Sequence, residues 1–327
     1  MRIFSIKLFK YLKNNFKESV KVALPLYRIM IPMIILVKIL REIGVVEILG
    51  SWLAPIMSIV GLPGSMGLVW AATMLGGFFP GIIIFADLSS SEVLTVSQVT
   101  VLSSLMLIAH SLPIELQIAK KAGSRWLSMG IIRILGALLY GIILNQILNW
   151  GNWLTERSVL LWHPKTKAID FYTWSLEQFK ALLIMFVVLF LLLQLMKLRD
   201  LLGLNNLLKF IFEPLLNKLG IGREATNITV IGMTLGIAYG GGLIIRESRA
   251  GKIPPRDIFF SLALMGLFHS VVEDTILMML LGGSIWGFLV GRMIFAFILV
   301  WLMVRLFSLI PEQRFQKFFF NQDLFVK

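Results

Sequence analysis

The sequence predicts an all-α polytopic membrane protein built from two copies of one unit. Three observations lead there. Hydrophobic residues make up 57% of the 327-residue chain and charged residues only 15%, against about 25% charged in an ordinary soluble domain. Apolar runs that approach or exceed the ~20 residues of a spanning helix recur at Val22–Leu40, Met129–Leu148, Ala181–Leu195 and Ile285–Phe307. Finally, the chain matches itself without gaps at a shift of 159, the separation of His110 and His269. At that shift Gly44 meets Gly203, Pro55 meets Pro214, Gly77 meets Gly236, Gly81 meets Gly240, His110-Ser111 meets His269-Ser270, and Arg133 meets Arg292. An internal repeat in so apolar a chain is a mark of transporter-like membrane folds.

The elements follow in order. Residues 1–22 are basic: Lys7, Lys10, Lys13, Lys17 and Lys21 interrupt Phe4, Ile6, Leu8, Phe9, Leu12 and Phe16. They read as an amphipathic cytoplasmic tail on the membrane surface; a signal peptide would need a longer unbroken apolar core. Repeat 1 is assigned to residues 23–149, a Trp-rich connector to 150–178, repeat 2 to 179–310 and a C-terminal tail to 311–327. Each repeat opens with a spanning helix, about Ala23–Leu40 and Phe179–Leu195. A short amphipathic stretch containing a proline follows, Val45–Val60 and Leu201–Leu219. Next comes a glycine-broken apolar segment, Met66–Ala86 and Thr226–Ile245. Two further apolar helices close each unit: Val96–Leu112 and Leu127–Leu148, then Ile258–Val272 and Ile285–Phe307. Thr95-Val96-Ser97-Gln98 has capping-box spacing, and Pro254-Pro255 stand where a helix starts.

Loop charges relate the copies. Residues 41–64 carry one Lys or Arg and the matching 197–225 five; 87–97 carry none, whereas 246–257 carry Arg246, Arg249, Lys252 and Arg256; 115–126 carry Lys120, Lys121 and Arg125, whereas 274–283 carry none. Positive loops prefer the cytoplasm, so the two copies are expected to be inverted repeats. The same charges put 41–64 and 87–97 on one side. Segment 66–86 is therefore expected to enter and return as a re-entrant hairpin bent at Gly76–Gly81, with its partner bent at Gly236–Gly242. That leaves about three spanning helices per repeat, with both termini cytoplasmic. The connector argues the other way, carrying Arg157, Lys165 and Lys167, although its Trp150, Trp153, Trp162 and Trp174 suit an interfacial belt. His163, before Pro164, reads as a loop residue.

Composition excludes several functions. With no cysteine, disulfides, iron–sulfur clusters and thiolate metal sites are absent. The net charge of +13 sits in tails and loops, where it reports orientation and contact with anionic lipid; no aromatic–basic surface for nucleic acid is evident. There is no P-loop, GxSxG or HExxH, so neither an enzyme nor a cofactor is expected.

Three constellations carry chemistry. One is His-Ser followed by acids, used twice: His110, Ser111 and Glu115, then His269, Ser270, Glu273 and Asp274. An ionisable group at the membrane centre costs ~2.5–3.5 kcal/mol even on the lenient insertion scale, so something must offset it. One reading is structural pairing; the other is a polar coupling site for solute, proton or cation. Pro113 is expected to break its helix, and His269 and Glu273 are expected one turn apart on one face. The second constellation is the pair of glycine tips. Gly77, Phe79, Pro80 and Gly81, with Gly236, Tyr239, Gly240, Gly241 and Gly242, would bind substrate through exposed backbone; close helix packing is the alternative. The third is Arg133 and Arg292, each inside an apolar helix and expected to form a structural ion pair with Glu115 or Asp274. Arg28 has no counterpart and is expected to snorkel. A metal held by His110, His269, Glu115, Glu273 and Asp274 is the weaker alternative.

The run GIAYGGGLIIRESRAGKIPPRDIFFSLALMGLFHSVVEDTILMMLLGG, Gly236 to Gly283, resembles the Gate, or nucleoside-recognition, family of bacterial membrane proteins. That family includes the spore maturation proteins A and B and the membrane gate of ferrous-iron transporters. The likeness is looser over Gly77–Gly123. It implies a bacterial inner-membrane protein moving a small, nucleoside-like solute, with lipid and solute as partners and a homo-oligomer left open. The expectation is a secondary transporter or permease working by alternating access, with proton or cation coupling open. The alternatives are a non-transporting scaffold of an envelope complex and a divalent metal permease.

Overall fold

The computed structural model describes residues 2–89, 92–159 and 171–320. His163, Lys165, Lys167 and Trp162 of the connector, and the end of the C-terminal tail, lie outside that set, as do the side chains of residues 2–12, Asn205, Ala238 and Tyr239. The described chain is helical, and five helices are long and apolar enough to cross a membrane: Lys13–Glu42, Val96–Lys121, Trp126–Trp150, Phe171–Leu201 and Trp286–Ser308.

The first half contains α1 (Arg2–Glu42), α2 (Val45–Ile59), α3 (Met66–Gly76), α4 (Phe78–Leu88), α5 (Val96–Ile108), α6 (Leu112–Lys121) and α7 (Trp126–Trp150). The second contains α8 (Phe171–Leu201), α9 (Leu204–Leu219), α10 (Arg223–Leu235), α11 (Ile237–Arg249), α12 (Pro255–Leu267) and α13 (Glu273–Met279), then a π-helical turn (Trp286–Gly291) that runs into α14 (Arg292–Ser308). A terminal α15 (Glu312–Phe319) follows. Adding 159 to the bounds of α5, 96 and 108, gives 255 and 267, those of α12. Left-handed backbone recurs at the same shift: Gly44 and Gly203, Gly61 and Gly220, Gly77 and Gly236, Ser111 and Ser270, Gly123 and Gly282. The duplication is thus written in backbone conformation as well as in residue identity.

Helix starts follow local chemistry. Thr95 forms its capping box: its hydroxyl accepts from the Gln98 amide at 3.2 Å while the Gln98 side chain accepts from the Thr95 amide at 3.0 Å. Proline opens α12, where a missing N–H costs nothing. The glycine-broken segments are pairs of short helices folded back on each other. Gly77 and Gly236 make the reversal at φ 86° and 93°, a region that side chains rarely tolerate. Within the second pair, a Cβ on Gly240 would lie 2.3 Å from the Gly232 Cα, so nothing larger than glycine fits between the helices.

Three expectations change. The basic tail is continuous with the first spanning helix, since α1 runs from Arg2 to Glu42 with Pro25 and Pro32 inside it. At 1.5 Å per residue it is about 60 Å long, twice the hydrocarbon thickness. The connector ends earlier than residue 178, since α8 already begins at Phe171. The third span of each copy is divided, into α5 and α6 in the first and into α12 and the short α13 in the second.

Burial ranks the elements. The Val96–Lys121 window is 78% buried, whereas those of α1 and α8 are 17% and 22% buried. Helices α5, α6 and α12 therefore form the centre, and α1 and α8 show apolar faces outward. The halves interleave: α12 packs on α7, and α5 packs on the π-helical turn. At one end, Ser158 N donates to Leu94 O and Ser284 N to Thr100 Oγ1. At the other, Ser248 Oγ donates to Ala122 O, and Arg125 N to Phe319 O. The start of α5 thus neighbours the connector and the segment before the π-helical turn, while the end of α11 neighbours the end of α6.

Candidate functional site

The C-terminal ends of α5 and α12 point at each other, and each stops at the residue pair before its histidine. Ala109–Ser111 and Phe268–Val272 are not helical. Ser111 and Ser270 sit in the left-handed region at φ 46° and 48°, a conformation a serine adopts only where its surroundings fix it. The surroundings are the glycine reversals: a Cβ on Gly77 would lie 2.8 Å from Ser111 Oγ, and one on Gly236 2.8 Å from Ser270 Oγ. Ser111 N also donates to Thr73 O at 3.0 Å, and Val271 N to Met233 O at 3.2 Å. Each hairpin is therefore tied to the histidine break of its own half.

At the junction the two histidines meet, Nε2 to Nε2 at 3.2 Å, both fully enclosed. His110 Nδ1 lies 3.2 Å from the carbonyls of Met106 and Leu107, and His269 Nδ1 2.6 Å from that of Met265. A carbonyl only accepts, so each Nδ1 carries the hydrogen, and in the neutral ring each Nε2 presents a lone pair. Glu115 Oε1 joins them, 3.2 Å from His110 Nε2 and 3.5 Å from His269 Nε2. Three acceptor atoms converge and need a positive charge among them. His110 lies near the middle of the Val96–Lys121 span, about 20 Å from the start of α5 at helical rise. The ring of Phe78, first residue after the Gly77 reversal, covers His110 at 4.1 Å between centroids.

The arginines fall differently from each other. Arg133 pairs with Glu115 and donates through Nε to Ile108 O at 2.8 Å, as one of the expected pairings has it. Arg292, at the equivalent position, has all three guanidinium nitrogens buried without a hydrogen-bond partner; its charge lies over the Phe268 ring at 4.8 Å. Asp274, equivalent to Glu115 (115 plus 159), likewise has Oδ2 buried and unpartnered. Among the described residues, a hydrogen-bonded arginine–carboxylate pair is thus present in the first half, whereas Arg292 makes none in the second.

Two local expectations are corrected. Helix three breaks at Ala109–Ser111, ahead of Pro113, which lies inside the first turn of α6, where proline is tolerated. His269 and Glu273 do not share a helix face, because the left-handed Ser270 separates His269 from α13. Glu273 turns instead to Arg199 at the end of α8, which also donates to Thr234 O at 3.1 Å. Sequence reasoning missed Arg199; its equivalent in the first half is Leu40, so the repeat gave no signal. Of the tip residues, Pro80 packs at Gly76, Gly81 at Thr73 and Gly241 at Ile118, while Gly242 faces open space. Phe79 is half-buried, and the Tyr239 side chain is outside the described set.

Fold and site define a multi-pass helical membrane protein, two copies of one unit closed around a shared charged centre. Residues 23–125 match the Gate family, described as nucleoside recognition. The match covers the first copy, where the likeness had read as the looser of the two. The chain is also 27% identical over 280 residues to the uncharacterized membrane protein YvoD of Bacillus subtilis (strain 168), covering 83% of this chain and 87% of that one. No solved structure matches it at a significant level.

Proposed function

We propose that the chain is a secondary transporter or permease for a small polar solute, nucleoside-like by the family's description, in the bacterial inner membrane. Its two copies are inverted, its glycine-broken pairs are re-entrant hairpins, and the paired histidines form the coupling site. The observation that carries this reading is the meeting of His110 and His269, one from each copy, 3.2 Å apart at mid-span. The end-to-end contacts support inversion: 94–100 neighbours 158 and 284, whereas 248 neighbours 122. Two inverted units around one site are the framework of alternating access.

The difference between the copies supplies the moving part. Glu115 holds Arg133 and meets both imidazoles, while Asp274 Oδ2 and the Arg292 guanidinium, at the equivalent positions, are buried without a hydrogen-bond partner. In the opposite state the roles exchange: Asp274 takes Arg292 and the histidines, and Glu115 releases Arg133. A buried charge without a hydrogen-bonded partner is costly, so the copy that lacks one is the copy poised to rearrange. Each exchange moves the hairpin tied to that copy's histidine break.

His269→Gln tests the reading. In proteoliposomes containing the full chain, with uridine and adenosine as probes, the variant should lose uptake at unchanged membrane abundance. Uptake equal to wild type would remove the histidines from the mechanism.

A further inference from the structure

The charged centre has the geometry of a metal site. Its three converging atoms, His110 Nε2, His269 Nε2 and Glu115 Oε1, form a triangle with sides of 3.2, 3.2 and 3.5 Å. A tetrahedral ion with bonds of about 2.0–2.1 Å to nitrogen and oxygen has ligand–ligand edges of about 3.3 Å. The triangle is one face of such a tetrahedron. Asp274 is the candidate fourth ligand, since a carboxylate oxygen of Asp274 and a ring nitrogen of each histidine lie within 4.8 Å of one another. Asp274 Oδ2 is buried with no partner, so its lone pairs are available.

The supporting shell fits as well. Metal-binding histidines usually fix the free ring nitrogen by donating its hydrogen to a carbonyl or carboxylate. Both Nδ1 atoms do so here, toward Met106 and Leu107 and toward Met265. Glu115 keeps Oε1 for the centre and engages Arg133 through Oε2. The residues that would hold the ion come from both copies, which explains why no close ligand spacing appears in the sequence.

We propose that His110, His269, Glu115 and Asp274 bind one divalent transition-metal ion at the junction of the two copies. Two imidazoles with carboxylates select zinc, cobalt or ferrous iron over magnesium or calcium, which favour all-oxygen shells. This rests on the transport reading only in making the metal the coupling cation; the site itself stands on the geometry.

The test uses the purified full-length protein, stripped with chelator and titrated with Co2+. Wild type should give the intense visible absorption of four-coordinate Co2+, saturating at one ion per chain and displaced by Zn2+. His269→Gln should abolish the saturable band, while His163→Gln should keep it. Melting of each metal-free variant shows whether it is folded. Absence of a saturable four-coordinate band in wild type overturns the proposal whatever the variants do, and so does a band that survives in folded His269→Gln. Uridine uptake with and without chelator separates the two readings. Uptake without any Co2+ band leaves a transporter and removes the metal; a band without uptake leaves the metal and removes the transporter.

Discussion

Arg133 and Arg292 are the same residue at equivalent positions, and their removal should have unequal effects. Arg133 is buried, pairs with Glu115 and donates to Ile108 O. Replacing it with methionine keeps an unbranched chain against Gly266, whose added Cβ would lie 3.2 Å from Arg133 Cδ. The substitution leaves Glu115 with its charge enclosed and unpaired, a loss of about 3–5 kcal/mol. At about 2–4 °C per kcal/mol for domains of 150–250 residues, melting should fall by roughly 6–20 °C. Arg292→Met removes a guanidinium with no hydrogen bond to lose and brings the desolvated charge to an end. It forfeits no hydrogen bond but takes the nearest opposite charge from buried Asp274, so its melting temperature should fall by less than that of Arg133→Met. Uptake should still fail in Arg292→Met, because the exchanged ion pair cannot form. The assay is thermal unfolding of both variants in one detergent, at one ionic strength. Equal destabilisation by the two substitutions would refute the asymmetry and the exchange built on it.

Two further outcomes follow from the same structure. Val93 and Lys252 are both exposed and stand at equivalent positions, 93 plus 159 being 252; Ser248 would serve less well, being buried. In this cysteine-free chain, an impermeant thiol reagent on intact cells should label Val93→Cys and spare Lys252→Cys, and labelling of both would end the inverted reading. Outside the spans, α15 is clamped by Arg256, which pairs with Glu312 and donates to Phe307 O at 2.6 Å. Burial pushes the Glu312 carboxyl up, but hydrogen bonds from Arg256 and Gln316 outweigh it and hold the group below its ordinary value of 4.5. A depressed acid contributes stability above its unfolded pKa and loses it as pH falls through the folded one. Protection of the α15 amides, taken relative to their intrinsic exchange rate at each pH, should therefore fall below pH 4.5 in wild type, and Arg256→Gln should remove most of that pH dependence.

Much of this arrangement was legible in the chain because duplication marks what a single sequence otherwise hides. Gly77 and Gly236 were visible as the same reversal made twice, and the His-Ser pairs as the same break made twice. Arg133 and Glu115 could be matched as the charged groups of one copy. What could not be read was whatever the repeat does not carry. Arg199 has Leu40 as its equivalent, so its reach to Glu273 depends on how α8 ends. The position of the break also escaped, because Pro113 drew attention two residues past Ser111, whose left-handed backbone depends on the hairpin folded against it. Nor does sequence reveal that the two copies differ in state, since Arg133 and Arg292 are identical as letters.

The interleaving of the halves has a consequence for synthesis. His269 leaves the ribosome 159 residues after His110, an interval on the order of 10–30 s at about 5–20 residues per second. Throughout it the first copy must sit in the bilayer with α5 and α7 lacking the helices that cover them. Its carboxylate has a companion by then, because Arg133 follows Glu115 by only 18 residues. The nascent chain thus neutralises its own acid early and holds one imidazole in reserve. Closure of the centre waits for the second half to supply the other.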